Sequence, residues 1–169
     1  TLRLSVSESL KNFVTITPIR ISFAPKEKKT IEINVSTSQD TLPDMYTGNI
    51  QISGSGINKD VLIALEVESL TSLFDVSVKI PDKFLMILPG EYAVAEIKVI
   101  DIVRFKIVDV IIEKIIKDSN DNVIAQKTDT ISIDDELSFV ENIKTPENIK
   151  EGKYVFYVAV KYNDQVAIG

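Results

Sequence analysis

Apolar side chains recur at every second position through much of this chain. Ile31, Ile33 and Val35 alternate with Glu32, Asn34 and Ser36. Val61, Ile63, Leu65 and Val67 alternate with less apolar neighbours, and Phe74, Val76, Val78 and Ile80 alternate with Asp75, Ser77 and Lys79. Tyr154, Phe156, Val158 and Val160 form another such run, which ends at Asn163-Asp164. A period of two with one apolar face marks a strand packed on one side. The alternation therefore predicts that these residues point into sheet cores.

Turn residues punctuate the runs. They stand at Ala24-Pro25-Lys26-Glu27, Leu42-Pro43-Asp44, Ser53-Gly54-Ser55-Gly56, Leu88-Pro89-Gly90-Glu91, Asp118 to Asn122, and Glu151-Gly152. Many short strands at this spacing predict an all-β sandwich. One stretch, Val103 to Lys117, is apolar enough to suggest a helix. Its apolar residues, Phe105 among them, are mostly β-branched. That favours a long strand, partly buried on both faces, with a helix as the alternative.

Two elements recur along the chain. Pro25-Lys-Glu followed by Ile33-Asn-Val35 returns as Pro89-Gly-Glu followed by Ile97-Lys-Val99, 64 residues on. Pro43-Asp-Met-Tyr46 returns as Glu151-Gly-Lys-Tyr154, 108 residues on. The reading is two tandem immunoglobulin-like β-sandwiches, residues 1–69 and 73–169, the second with room for three more strands between Asp101 and Thr145. The linker, Glu68 to Ser72, holds neither Gly nor Pro. Its shortness predicts limited freedom between the two units.

The stretches Phe13 to Pro18, Ile21 to Glu27, Ile31 to Val35 and Leu42 to Gly48 resemble the NPCBM-associated domain of secreted archaeal and bacterial proteins and α-galactosidases. Asp44 stands where that pattern has Gly. The expected first strand is missing or incomplete, so the fold is expected to begin upstream. Leu88 to Glu91, Ile97 to Val99, Asp118 to Ile124 and Glu151 to Tyr154 resemble cell-adhesion-related (CARDB-like) domains of prokaryotic surface proteins. The two resemblances imply a spacer, adhesion or accessory role in an extracellular protein and bring no catalytic residues.

Composition narrows the chemistry. Hydrophobic residues make up 44% of the 169, enough for packed cores and too many for a disordered chain. The net charge is −6, which repels phosphate backbones and argues against nucleic acid as a partner. Lys26, Lys28 and Lys29 read as a charged turn. Without Cys or His there is no disulfide, no thiol chemistry and no His-dependent triad. No apolar run reaches the roughly 20 residues of a bilayer span, so a membrane enters only through an anchor outside this sequence.

A few positions carry candidate roles. Tyr46 and Tyr154 each stand after a tight turn at the start of a strand, where a phenol can bond nearby backbone as a tyrosine corner does. Phe156 occupies the place of an immunoglobulin's second Cys. Asp118, Asn120 and Asn122 have the 1, 3, 5 spacing of a calcium loop, with Asp129 at position 12, but Val123 fills the required Gly position. A hairpin turn rich in Asn and Asp is the preferred reading, and no cofactor is expected. Asp134, Asp135 and Glu136 read as a solvated acidic loop rather than a calcium site. Asn34-Val35-Ser36 is an N-glycosylation sequon on a polar strand face. Ile111, Val155 and Tyr157 lie opposite their strands' core residues and predict either an interface or cover by the neighbouring domain.

Together these features point to a non-enzymatic structural or interaction module of a secreted or cell-surface protein. Its expected partners are other proteins or neighbouring domains of the same polypeptide. A carbohydrate-binding or accessory module of a larger secreted hydrolase is the alternative. It would want an exposed aromatic platform, which a chain without Trp is poorly equipped to supply.

Overall fold

A computed structural model describes residues 1–104 and 107–169. The chain is all-β, with 3-10 turns at Glu8–Leu10 and Asp82–Phe84. Six strands make up the N-terminal half: β1 (Leu2–Val6), β2 (Val14–Thr17), β3 (Arg20–Ile21), β4 (Glu32–Val35), β5 (Asp44–Gly54) and β6 (Ile57–Val67). Seven follow: β7 (Phe74–Lys79), β8 (Tyr92–Asp101), β9 (Val108–Lys117), β10 (Val123–Ile133), β11 (Glu136–Lys144), β12 (Val155–Tyr162) and β13 (Gln165–Ile168). The stretch that invited a helix is thus strand β9 from Val108 onward, as its β-branched residues favour; Phe105 lies outside the described residues.

Each half pairs within itself. β3-β1-β5-β6 form one antiparallel sheet and β2-β4 a second. In the C-terminal half β11-β8-β7 form a three-stranded sheet, and β10-β9-β12-β13 a four-stranded one. Strands β9, β10 and β11 are the three that the space between Asp101 and Thr145 allows.

Alternation decides which residues meet. Phe74, Val76, Ala95, Ile97, Val99, Val110, Ile112, Val158 and Val160 are buried in the C-terminal core. Phe156 packs against that cluster from the edge. The N-terminal core is smaller: Leu4, Ile16, Ile21 and Ile50 are buried, with Val6, Ile31, Ile52 and Ile63 partly so. Here one expectation fails. Ile33 and Val35 share the face of Ile16 and Val14, yet remain 44% and 53% exposed. They sit on a strand that, among the described residues, has a partner on one side only.

The repeated Pro-x-Glu elements build the same turn twice. Ala24 N donates to Glu27 Oε2, and Leu88 N to Glu91 Oε2, each at 2.7 Å. The residue after each proline has positive φ, 67° at Lys26 and 81° at Gly90. Proline followed by a left-handed residue is the type II turn sequence.

Candidate functional site

The densest chemistry among the described residues lies where β5 meets the outer face of the β9-β12-β13 sheet. Even-numbered residues of β5 face the N-terminal core, so Met45, Thr47 and Asn49 point away from it. Even-numbered residues of β9 and β12, such as Ile112 and Val158, fill the C-terminal core. Lys117 and Tyr157 have the opposite parity and lie on the outer face. Met45 packs there with Ile115, Tyr157, Ala159 and Ile168 in a cluster drawn from both halves.

Polar groups surround that cluster. Lys117 Nζ lies 2.8 Å from Asp44 Oδ2 and 3.1 Å from Asp121 Oδ1, and donates to the Met45 carbonyl at 2.8 Å. The same ammonium stands 5.3 Å from the Tyr157 ring centroid and 5.9 Å from that of Tyr46. An ammonium has three protons and no acceptor capacity, so the three oxygens use it fully. Asp44 also accepts from the Tyr157 hydroxyl and from the Met45 N–H, each at 2.8 Å. Burial, then the bond to Asp44, pushes the Tyr157 phenol well above its ordinary range. It serves here as a donor and not as a base.

The β9–β10 turn docks on the same strand. Asp118 Oδ1 accepts from the backbone N–H of Asn120 and of Asn122, at 2.8 and 3.0 Å. Burial pulls the Asp118 carboxyl upward, but these bonds and those from the Asn122 side chain outweigh it and hold it low. Asp121 takes a left-handed φ of 67°. Thr47, fully buried, donates its hydroxyl to the Asp118 carbonyl at 2.6 Å and its N–H to Asp121 Oδ1 at 3.1 Å. Asn49 reaches the Ser119 carbonyl at 3.4 Å.

The four calcium candidates do not converge. Asp118, Asn120 and Asn122 bond one another in the turn. Asp129 lies well along β10, opposite Ile112, where it pairs with Lys114. Strand rise of about 3.3 Å per residue carries position 12 far from position 1. An EF-hand bends such a segment into a loop; a hairpin strand straightens it.

Lys114 is the centre of a second ionic group. It faces the C-terminal core, is fully buried, and pairs with Asp129 of β10 and with Glu141 of β11 at 3.2 Å. Lys127 joins Glu141 at 2.9 Å. Burial alone would raise the Glu141 carboxyl; Lys127, the Asn142 amide and Lys114 together lower it. The Lys114 bond lowers Asp129 likewise.

The remaining candidates have local partners. The Tyr46 hydroxyl donates to the Leu42 carbonyl at 3.0 Å, and Tyr154 to Lys150 at 2.6 Å, each four residues back. Asn34 is exposed on β4, its amide 3.1 Å from Glu32 Oε1. Of the expected acidic loop only Asp134 and Asp135 lie between strands; Glu136 opens β11, opposite Ile100, and pairs with Lys98 at 2.9 Å. Ile111 is 44% exposed, whereas Tyr157 is covered by the N-terminal half.

A cleft of about 520 Å³ opens beside the junction, lined in part by Leu42, Asp44, Tyr46, Glu113, Tyr157 and Gln165. Its aromatic faces are in use. Tyr46 packs on Phe13 with centroids 4.6 Å apart, and Tyr157 is buried. Sequence reading missed Asp44, Lys114 and Lys117 as hubs. A signal existed for each: two lysines inside an Ile/Val run, and an Asp at a turn position where Gly is usual.

No protein-family model matches the chain, and no curated protein matches it. One similar solved structure is that of a glycosyl hydrolase family 2 member from Bacteroides cellulosilyticus DSM 14838. It is 16% identical, with a TM-score of 0.38 over 54% of this chain, and the match spans 13% of that much longer protein.

Proposed function

We propose that this chain is a rigid, non-enzymatic structural or interaction segment of a secreted or cell-surface protein. In this reading residues 1–69 and 73–169 are two immunoglobulin-like modules held at a fixed angle. The observation that carries it is the junction, where Lys117, Asp44, Asp121 and Tyr157 complete one another's bonds over the Met45 cluster. The linker supports it: Thr71 Oγ1 donates to Gln165 Oε1 at 2.9 Å, which ties the connection to β13. The lysine, carboxylates and phenol that could do chemistry are all spent on holding the halves together. The accessory-module reading finds less support, because Tyr157 is buried and the Tyr46 ring stacks on Phe13.

Residual dipolar couplings test this. Couplings from the two halves, measured in one alignment medium, are expected to fit a single alignment tensor. Asp44→Ala combined with Met45→Ala is expected to give two different tensors. Two tensors in the unaltered chain would defeat the proposal.

A further inference from the structure

We infer that β11 is a self-pairing edge. Two copies of this chain join through it as antiparallel strands about a two-fold axis at Val140, so that the sheet β7-β8-β11 of one copy continues into that of the other.

The strand is its own complement. A two-fold axis normal to a sheet keeps every side chain on its face, so a strand that pairs with itself is centred on a residue. β11 spans Glu136–Lys144, and Val140 is its middle. Centred there, every residue of the strand finds a partner. On the outer face Glu136 meets Lys144 of the second copy, at both ends of the pair. Between these, Ser138 meets Asn142, and Val140 meets Val140. All of these outer residues are exposed in the single chain, Val140 to 66%. Opposite charges and β-branched pairs directly across an antiparallel ladder stabilise it. On the core face Leu137 meets Ile143, and Phe139 meets Glu141, whose charge Lys114 and Lys127 already hold. Moving the centre to Phe139 or to Glu141 loses both Glu136–Lys144 pairs, and the second shift also sets Glu141 against itself. Glu136 and Lys144 have partners in their own chain, Lys98 and Glu147, yet each side chain is 57% exposed and has room for another.

The edge is open. Among the described residues β11 pairs on one side only, with β8, and its register runs unbroken from Glu136 to Lys144. It holds neither Pro nor Gly, two of the usual means of blunting an edge. Strand β10 does not close over it: a cleft of about 530 Å³ opens between the two, lined in part by Lys127, Asn142 and Lys144. Other edges suit self-pairing less well. β2, β3, β4 and β13 have four residues or fewer. β6 carries Lys59 on one parity and Asp60 and Glu66 on the other, so no two-fold register joins them. β10 is broken between Val123 and Ala125 and turns Asp129 inward to Lys114. β7 could set Asp75 against Lys79, but Gly169 lies against its Val76 carbonyl. One strand pair is a small interface beside the standard of about 1,600 Å², so the dimer is expected to be reversible. The edge belongs to the sheet away from the junction, so this inference and the rigid-junction reading stand or fall separately.

The absence of Cys from the chain makes the test clean. Sedimentation equilibrium of the unaltered chain is expected to show a mass that rises with concentration towards that of a dimer. Val140→Cys puts two thiols on the axis, and mild oxidation is expected to link them. Ser138→Cys alone is expected to stay unlinked, as is Asn142→Cys, whereas an equimolar mixture of these two is expected to give the linked heterodimer. Val140→Lys sets two ammonium groups face to face and is expected to weaken association at least about tenfold, with an unchanged circular dichroism spectrum. A chain that stays monomeric at every concentration overturns the inference. So does Ser138→Cys linking to itself as readily as Val140→Cys, which means another register or chance collision. Association undiminished in Val140→Lys places the contact on a different surface and overturns it as well.

Discussion

Asp44 accepts from Lys117 and from Tyr157 at once, and the two partners differ in how they tolerate its loss. Lys117 is about 5% exposed and Asp44 about a third, so only the carboxylate can turn to water when abandoned. Asp44→Ala leaves a buried cation short of one counterion and a buried phenol without an acceptor. It is expected to cost about 2–3 kcal/mol. Lys117→Met keeps the volume and removes the buried charge, so its cost is expected to be smaller. Urea unfolding followed by tyrosine fluorescence checks the asymmetry, and equal losses would contradict it. Lys114 makes a second prediction at this scale. Asp129 and Glu141 titrate below their ordinary range in the folded chain. A depressed carboxylate adds stability that is complete above its unfolded pKa and is lost as pH falls through the folded one. The melting temperature is therefore expected to hold near neutrality and to drop in acid, below about pH 4. Lys114→Met frees both carboxyls from that cation, so its drop between pH 7 and pH 3 should be shallower. A drop as steep as in the unaltered chain would assign the acid sensitivity to other groups.

At the level of elements, close approach matters more than propensity. Gly48 of β5 faces the short turn Glu8–Leu10, and a Cβ there would lie 2.5 Å from Leu10 Cγ. Leu10 is fully buried and cannot retreat, so Gly48→Ala is expected to cost about 1–3 kcal/mol. At Gly152 the nearest atom to an added Cβ is 3.8 Å away, and Gly152→Ala is expected to be close to neutral. Thermal melts of the two variants decide between packing and a general intolerance of glycine loss. What the sequence disclosed follows the same division. Period-two patterning foretold β7 and β12 because each pairs on a face already fixed by its own residues. It foretold Ile33 and Val35 as core because parity says which face a residue takes, and is silent on whether another strand covers it. The Asn/Asp turn was readable as a hairpin, but its docking on Thr47 was not. That contact joins residues more than 70 positions apart and depends on how two outer faces meet. Lys114 was readable by parity alone, since it follows Val110 and Ile112 on the inward side of β9.

For the whole molecule, the junction determines whether the two halves unfold together. The N-terminal core has only four buried hydrophobic residues in its cluster, against eleven in the C-terminal one. Domain stability grows with buried apolar area, so the N-terminal half alone would melt first. Met45, Thr47 and Asp44 bind it to the more stable half through one apolar cluster and several charge-assisted bonds. When such coupling exceeds the stability deficit of the weaker half, unfolding merges into one transition. Calorimetry of the unaltered chain is therefore expected to show a single peak whose van't Hoff and calorimetric enthalpies agree. Lys117→Ala with Met45→Ala removes the cation and the apolar plug but leaves both cores untouched. It should split the trace into an early, small transition and a later one close to the original temperature. Exchange protection would divide at the same place, with β5 and β6 amides exchanging before those of β8 and β12. A single peak that moves down intact in the double variant would mean that cooperativity is carried by the linker and Gln165, and not by the face between β5 and β9.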